Sequence, residues 1–153
     1  MNLFPWQKKK EFFTAEEQEQ LVEAIRKAET NTSGEVRLFI ESHCRYMDAL
    51  DRAAELFFSL KMNETRERNA TLIYLAVKDR QAAVFGDEGI HSKVGASYWQ
   101  HVVTQMLGRF QGNQLAEGIC QGINDLGNAL HTHFPYNRET DKNELPDEIV
   151  FGR

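Results

Sequence analysis

The sequence predicts a single α/β domain with a mixed sheet, and three observations support this prediction. The chain has 153 residues, of which 41% are hydrophobic. A domain of this size buries roughly 70% of its unfolded surface. Segments with helical and strand-like spacing follow one another in the order α-β-α-β-β-α-α. The strand-helix-strand unit predicts a right-handed parallel crossover, and the short polar connector at residues 78–81 predicts a hairpin.

Two helices and one strand are predicted in the first third of the chain. Thr14 and Glu17 have the spacing of a capping box, and the apolar stripe behind them predicts a helix over Ala15–Glu29. The alternating and then apolar segment Glu35–Glu41 is typical of a strand. Apolar residues at spacings of three and four predict a second helix over residues 47–60.

The rest of the chain predicts two strands and further helices. Residues 71–77 are almost continuously apolar, which is typical of a central strand covered on both faces. Residues 82–85 follow as the hairpin strand. Helical spacing extends over residues 90–110, with a break near Gly95, and again over residues 115–130. The residues expected in the core are Leu38, Ile40, Ile73, Leu75, Ile123 and Leu126.

Both ends of the chain are predicted to lie outside the domain of residues 12–135. Residues 1–11 form a lead-in, and residues 136–153 form a polar tail whose apolar end, residues 149–151, either docks on the domain or stays loose. The acidic stretch 143–148 of this tail is more often a solvated arm than a cation ligand. No run is long and apolar enough to span a membrane, and no secretory apolar segment is visible, so a cytoplasmic protein is expected.

Charge and missing signatures exclude several classes of function. The net charge of -5 argues against nucleic acid as a partner, since phosphate binding needs a basic surface, but it is compatible with a cation. The chain has no Gly-rich phosphate loop, GxSxG or HExxH signature. Zinc is not expected, because His131 and His133 do not share a helix face and Cys44 and Cys120 form no cluster.

One edge of the predicted sheet gathers hard oxygen ligands. The antiparallel third strand returns its end to the edge where the first two strands begin. The candidate ligands there are Glu35, Asn69, Asp87 and Glu88. Such oxygens bind Ca²⁺ or Mg²⁺, and Gly86 and Gly89 would leave backbone carbonyls accessible. The alternative is that Asp87 caps the next helix, because Asx residues and glycines also mark turns.

The opposite edge carries a second group of polar residues. Ligands of open α/β sheets usually bind at the carboxyl ends of the parallel strands. Those ends lead into residues 42–45, which include His43 and Cys44, and into Lys78 and Asp79. Adjacent residues of a strand point to opposite faces, so ordinary loop residues are favoured over a Cys/His nucleophile pair.

Several segments of the chain form a recognisable set in their order and spacing. They are Thr32-Ser33-Gly34-Glu35-Val36-Arg37, Asp51-Arg52-Ala53-Ala54-Glu55-Leu56-Phe57, Arg68-Asn69-Ala70-Thr71-Leu72-Ile73-Tyr74-Leu75, Gly86-Asp87-Glu88-Gly89-Ile90, Trp99 and Phe110. This set resembles the TPM domain family, named for a thylakoid-lumen protein, a photosystem II repair protein and a nicotinic-receptor modulator. The resemblance covers roughly residues 12–135, and the acidic residues 143–147 look like those of stand-alone bacterial members.

This resemblance implies a three-layer α/β/α sandwich with a Rossmann-like mixed sheet, in which a parallel β-α-β unit precedes an antiparallel hairpin strand. It also implies a divalent-cation site, most often discussed as calcium. Many members have an Asp before the first helix, and the corresponding residues 8–13 lack one. Some plant members are reported as acid phosphatases, and others act as assembly or receptor-associated modules.

Two functions are therefore expected from the sequence. The first is a non-catalytic binding module with a calcium-type site and a protein partner that the sequence does not identify. The alternative is a metal-assisted acid phosphatase acting on phosphomonoesters, in which Glu35 or Glu88 would move the proton.

Overall fold

A four-stranded mixed sheet forms the centre of the molecule, in the order β3-β2-β1-β4. The computed structural model describes residues 12–110, 114–135 and 149–152. The strands are β1 (Glu35–Glu41), β2 (Ala70–Ala76), β3 (Gln81–Gly86) and β4 (Ile149–Phe151). Strand β1 pairs in parallel with β2 and β4, whereas β2 and β3 are antiparallel. The predicted crossover and hairpin are confirmed.

Helices cover both faces of this sheet. They are α1 (Ala15–Glu29), α2 (Ala49–Ser59), α3 (Glu88–Val94), α4 (Ala96–Leu107) and α5 (Leu115–His133). One core layer joins α1, α4 and α5 to side chains such as Leu38 and Ile73. The other joins α2 to side chains such as Phe39 and Leu72, which alternate with the first set along the strands. The result is the expected three-layer α/β/α sandwich.

Local sequence signals fix where the helices begin and end. Helix α1 has the predicted bounds, and Thr14 and Glu17 form the predicted capping box. Helix α2 is shorter than predicted because the side chain of Asp48 caps it at the Asp51 N–H, 2.8 Å away. Gly95 separates α3 from α4 with φ at +81°, a backbone conformation that favours glycine.

The predicted core residues are buried where the sequence places them. All six have no exposed surface, and every residue of β2 is buried. Burial on both faces explains why β2 reads as a continuous apolar run rather than an alternating one. The buried strand β2 therefore holds the polar residues at its two ends in fixed positions relative to the sheet.

The apolar end of the predicted tail docks on the sheet as β4. Ile149, Val150 and Phe151 pair with β1, and the Gly152 N–H donates to the Ile40 carbonyl at 2.7 Å. The predicted lead-in of residues 1–11 and the acidic stretch 143–148 lie outside the described residues. Among the described residues, no helix has the length and apolar character that crossing a membrane requires.

Candidate functional site

The edge at which β1 and β2 begin brings together the residues that the topology predicted there. The Asp87 N–H donates to the Ala70 carbonyl at 2.9 Å, and Ala70 is the register partner of Glu35. The Glu35 N–H in turn points to the Asn69 carbonyl at 3.5 Å. The backbones of Asp87, Ala70 and Glu35 therefore lie in one row across three strands.

Asp87 is held from two sides. Its carboxylate is buried, caps α3 by accepting from the Glu88 N–H at 2.8 Å, and forms a bidentate pair with Arg68. Arg68 Nε lies 2.7 Å from one carboxylate oxygen and Nη2 lies 2.9 Å from the other. The hydrogen bond to Asp87 raises the pKa of Arg68. The capping role considered in the sequence is thus observed, together with an ion pair.

The remaining candidate ligands differ in burial. The Glu88 side chain is 75% exposed and lies 3.4 Å from Arg68 Nη1, whereas Glu35 is buried. Asn69 is buried and donates from Nδ2 to Ser33 Oγ at 3.0 Å. Its carbonyl oxygen Oδ1 is also buried and accepts no hydrogen bond from the described residues.

Gly86 and Gly89 allow neighbouring groups to pack closely against the backbone. A Cβ at Gly86 would lie 2.4 Å from the ring of Trp99. A Cβ at Gly89 would lie 2.2 Å from the Glu67 carbonyl and 2.5 Å from that of Arg68. The first turn of α3 therefore rests on the backbone that carries Arg68, which adopts φ of 53°. The space around both glycines therefore excludes a larger side chain, while the expected access of a ligand to their carbonyls stays a prediction.

This arrangement fits a divalent cation in part. The described residues contain no group of three or more His, Cys, Asp and Glu side chains that could hold a metal ion. Both Asp87 oxygens are already engaged by Arg68. The Asn69 oxygen is the group that matches a hard cation, because it is buried and lacks a donor among the described residues. Asp87 would join it only if Arg68 moved away or a water intervened.

An open groove of about 450 Å³ begins at the same edge and follows β3. One wall is contributed by Leu50 and Phe58 of α2, and the other by α4, including Trp99. Arg68, Asp87, Glu88 and His91 close one end. His91 accepts a hydrogen bond at Nδ1 from Trp99 Nε1, at 2.8 Å.

Arg68 and His91 were not predicted as site residues. The signal for Arg68 was its position two residues before β2, close to the point to which the hairpin returns Asp87, the residue directly after β3. Pairing with Asp87 also requires the left-handed backbone of Arg68. An arginine in the sequence does not predict that backbone conformation. The hydrogen bond between His91 and Trp99 connects α3 with α4.

The opposite edge, at the carboxyl ends of β1 and β2, also contains a buried carboxylate. Glu41 is buried and accepts from Arg52 Nε at 3.0 Å and Arg52 Nη2 at 3.1 Å. The hydroxyl of Tyr74 also donates to Glu41. Burial, and then this bond to Glu41, raise the pKa of Tyr74, while the bond to Glu41 raises the pKa of Arg52. The Tyr74 hydroxyl and the Arg52 guanidinium are therefore held in their usual charge states.

A polar pocket of about 470 Å³ lies over this network. His43, Arg45, Tyr46 and Lys78 are among its lining residues. His43 Nδ1 lies 2.8 Å from Asp79 Oδ1, and the Cys44 N–H donates to the other Asp79 oxygen at 2.7 Å. These two bonds, the one to His43 first, hold the pKa of Asp79 below its usual value.

The predicted second edge is thus assembled, with His43 paired to Asp79 rather than to Cys44. The thiol of Cys44 points instead to the Met47 carbonyl, 3.2 Å away. This agrees with the expectation that the side chains of adjacent residues diverge, and it leaves no Cys/His pair at this position.

Comparison with known proteins assigns the family. The model of the TPM domain matches residues 7–129, which is most of the chain. The chain belongs to the TPM domain family. No curated protein matches it.

Two solved structures have a fold similar to that of this chain. The NMR structure of the BA42 protein from the psychrophilic bacterium Bizionia argentinensis is 39% identical, with a TM-score of 0.83 over 92% of this chain and 96% of that protein. The N-terminal domain of the cg2496 protein from Corynebacterium glutamicum is 10% identical, with a TM-score of 0.61 over 77% of this chain and 74% of that domain. The second likeness concerns the fold alone.

Proposed function

We propose that this TPM domain is a non-catalytic binding module that takes up a divalent cation, calcium by preference, at the Asp87 edge. The observation that carries the proposal is the buried Asn69 oxygen, which no described residue satisfies. An unsatisfied buried acceptor costs about 1–3 kcal/mol, and a hard cation removes that cost. Calcium is preferred to zinc because the neighbouring candidates, Glu35, Asp87 and Glu88, offer oxygen and no sulfur or nitrogen.

Arg68 is the competitor of the ion in this proposal. Its guanidinium engages both oxygens of Asp87, so a cation binds Asp87 directly only after Arg68 leaves, or reaches it through a water molecule. The Arg68 side chain is 37% exposed and can turn into solvent. Calcium affinity should therefore depend on the strength of the Arg68–Asp87 pair.

A melting series with Ca²⁺, Mg²⁺ and EDTA tests this proposal. Calcium at ~100 times its dissociation constant should stabilise the native chain by about 2.7 kcal/mol. Asp87→Asn should lose most of this gain and remain folded, since Asn also caps helices. Arg68→Gln is the matched variant, and it should need less calcium than the native chain because Asp87 no longer has a competing partner.

Three results would contradict the proposal in different ways. An unchanged calcium response in Asp87→Asn would remove Asp87 from the site. An equal response in Arg68→Gln and the native chain would remove the competition. No response in either chain would reduce this edge to a helix cap and an ion pair.

A second candidate function, hydrolysis of phosphomonoesters, is favoured by the polar pocket beside His43. Arg45 and Lys78 would attract an anionic substrate, and the imidazole of His43 could accept or donate a proton. A bound cation would polarise the phosphoryl group. Glu35 and Glu88, the carboxylates first considered for proton transfer, lie at the opposite edge.

Release of phosphate from p-nitrophenyl phosphate, measured between pH 4 and 8 with and without calcium, distinguishes the two functions. The enzyme predicts turnover that His43→Gln reduces. Turnover lost in Glu88→Gln instead would assign the chemistry to the Asp87 edge. The binding module predicts no release above the buffer rate under any of these conditions.

A further inference from the structure

The outer edge of β3 presents to the groove backbone groups that no described residue pairs with. Hydrogen-bonded residue pairs alternate along antiparallel strands. The bond from the Asp87 N–H to the Ala70 carbonyl fixes this alternation, so the backbones of Phe85 and Ala83 face β2. The backbone groups that face away from β2 belong to Ala82, Val84 and Gly86.

These three outward N–H groups have no hydrogen-bond partner among the described residues. Strand β3 is the terminal strand of the described sheet, and all three residues line the groove. An edge of this kind is a template for another strand. The spacing of every second residue is the spacing at which a peptide main chain offers its own donors and acceptors.

The walls of the groove suit apolar side chains. A strand added to β3 would lie between α2 and α4, because both helices contribute walls beside it. Leu50 and Phe58 on the α2 side are 55% and 50% exposed, which is unusual for large apolar residues in this chain. The α4 wall contributes Ala96, Trp99 and Val103.

We propose that this groove binds an extended segment of another protein by strand addition to β3, with a basic residue of that segment beside Glu88. Backbone hydrogen bonds to Ala82, Val84 and Gly86 would hold the main chain, and the two walls would receive alternate apolar side chains. This proposal does not depend on a cation or on catalysis.

The charge at the end of the groove selects the basic residue. Arg68, Asp87 and Glu88 together carry a net charge of -1, and the Glu88 side chain is the most exposed of the three. His91 adds no charge while it accepts at Nδ1 from Trp99. The other lining residues of the groove carry no charge, so a peptide with one lysine or arginine at this end is complementary.

Amide hydrogen exchange measured by NMR tests the proposal on the full chain. The probes are blocked seven-residue peptides of alternating valine and threonine with a lysine at either end, and the same peptides with glutamate in place of lysine. At saturation, a lysine peptide should slow exchange at Ala82, Val84 and Gly86 at least tenfold. Amides that already bond to β2, such as Phe85, should change little. The glutamate peptides should bind at least tenfold more weakly.

Two variants separate backbone recognition from general apolar contact. Ala82→Pro removes one outward N–H at an edge position that tolerates proline, and it should weaken the lysine peptide at least tenfold. Ala82→Ser keeps the N–H and is the matched control. Glu88→Lys should reverse the preference, so that the glutamate peptide binds more tightly than the lysine peptide.

Four outcomes would overturn the proposal. Peptides N-methylated at alternate residues that bind as tightly as the parent would show that no strand is added. Three amides already protected in the free protein at micromolar concentration would indicate that a segment of this chain fills the groove. Protection that grows with protein concentration would indicate a second copy. Amide exchange that no peptide changes would show that the outer edge of β3 does not bind an extended segment.

Discussion

The two ends of the parallel strands β1 and β2 each carry a buried carboxylate, but they use it differently. At the starting end, Asp87 pairs with an Arg68 side chain that is 37% exposed, and it caps a helix. At the carboxyl end, Glu41 accepts from Tyr74 and from an Arg52 side chain that is 27% exposed. A second acid, Asp79, then holds His43 in the pocket above. The buried carboxylates of Asp87 and Glu41 therefore serve mainly to stabilise the structure. The capacity to bind a ligand lies in the groups around them.

The first prediction concerns Leu75 in β2, the strand that joins the two ends. Leu75→Ala should lower the free energy of unfolding by about 2–5 kcal/mol, because a fully buried position in a central strand collapses poorly around a smaller side chain. Urea denaturation measures the change. Leu50→Ala, at a position that is 55% exposed, is the control and should change the stability by less than about 0.5 kcal/mol. Equal losses of stability in the two variants would show that β2 is not the central buried strand that joins the two ends.

The second prediction sets the two carboxylates against each other. Glu41→Gln should cost about 3 kcal/mol, because it leaves Arg52 and Tyr74 facing a neutral group in a mostly buried network. Asp87→Asn should cost about 1 kcal/mol, because Asn retains the helix cap and Arg68 can turn into solvent. Urea denaturation of both variants at pH 7 gives the comparison. A larger loss of stability in Asp87→Asn than in Glu41→Gln would show that Asp87 contributes more to the stability of the fold than Glu41 does.

The third prediction tests how tightly the Asp87 end is packed. Gly89→Ala should destabilise the protein by about 1–3 kcal/mol, because the new methyl group would meet backbone carbonyls at 2.2 and 2.5 Å. Thermal unfolding measures this loss. Gly108→Ala is the control, since the contacts of its Cβ would be ordinary at 3.5 Å. If the two variants melt together, the backbone around Arg68 moves aside easily, and the calcium competition proposed for this edge would be weak.

Much of the fold follows from local patterns in the sequence. The apolar runs of β1 and β2 reflect burial, which acts on each strand separately, so the bounds of β1 and the strand directions were predictable. Strand β4 was left open, because three apolar residues after a polar tail do not specify which strand they join. Its pairing with β1 depends on the free edge that the rest of the sheet provides.

The sequence predicted where the site residues lie in the fold, but it did not predict which hydrogen bonds and ion pairs they form. Topology alone brings Glu35, Asn69 and Asp87 to one edge. Whether Asp87 binds an ion, a helix terminus or an arginine depends on the left-handed backbone at Arg68 and on the hairpin register. A sequence of the form Gly-Asp-Glu-Gly suits all three partners, because each requires the same short acid beside a flexible backbone.

The smallest predicted effect is a change in titration at the carboxyl end. The bond from His43, and then that from the Cys44 N–H, hold the pKa of Asp79 below its ordinary value of 3.8. A lowered carboxyl pKa stabilises the folded state above the ordinary value, and this contribution is lost as the pH falls through the lowered value. His43→Gln removes the imidazole, so the pKa of Asp79 should rise towards 3.8 and the loss should begin at a higher pH. Carboxyl NMR titration measures it, with His101→Gln on the exposed side of α4 as the control. An unchanged Asp79 titration in His43→Gln would show that the Cys44 N–H alone sets the charge of this acid, and the pocket would then lack the coupled pair that distinguishes it from the Asp87 end.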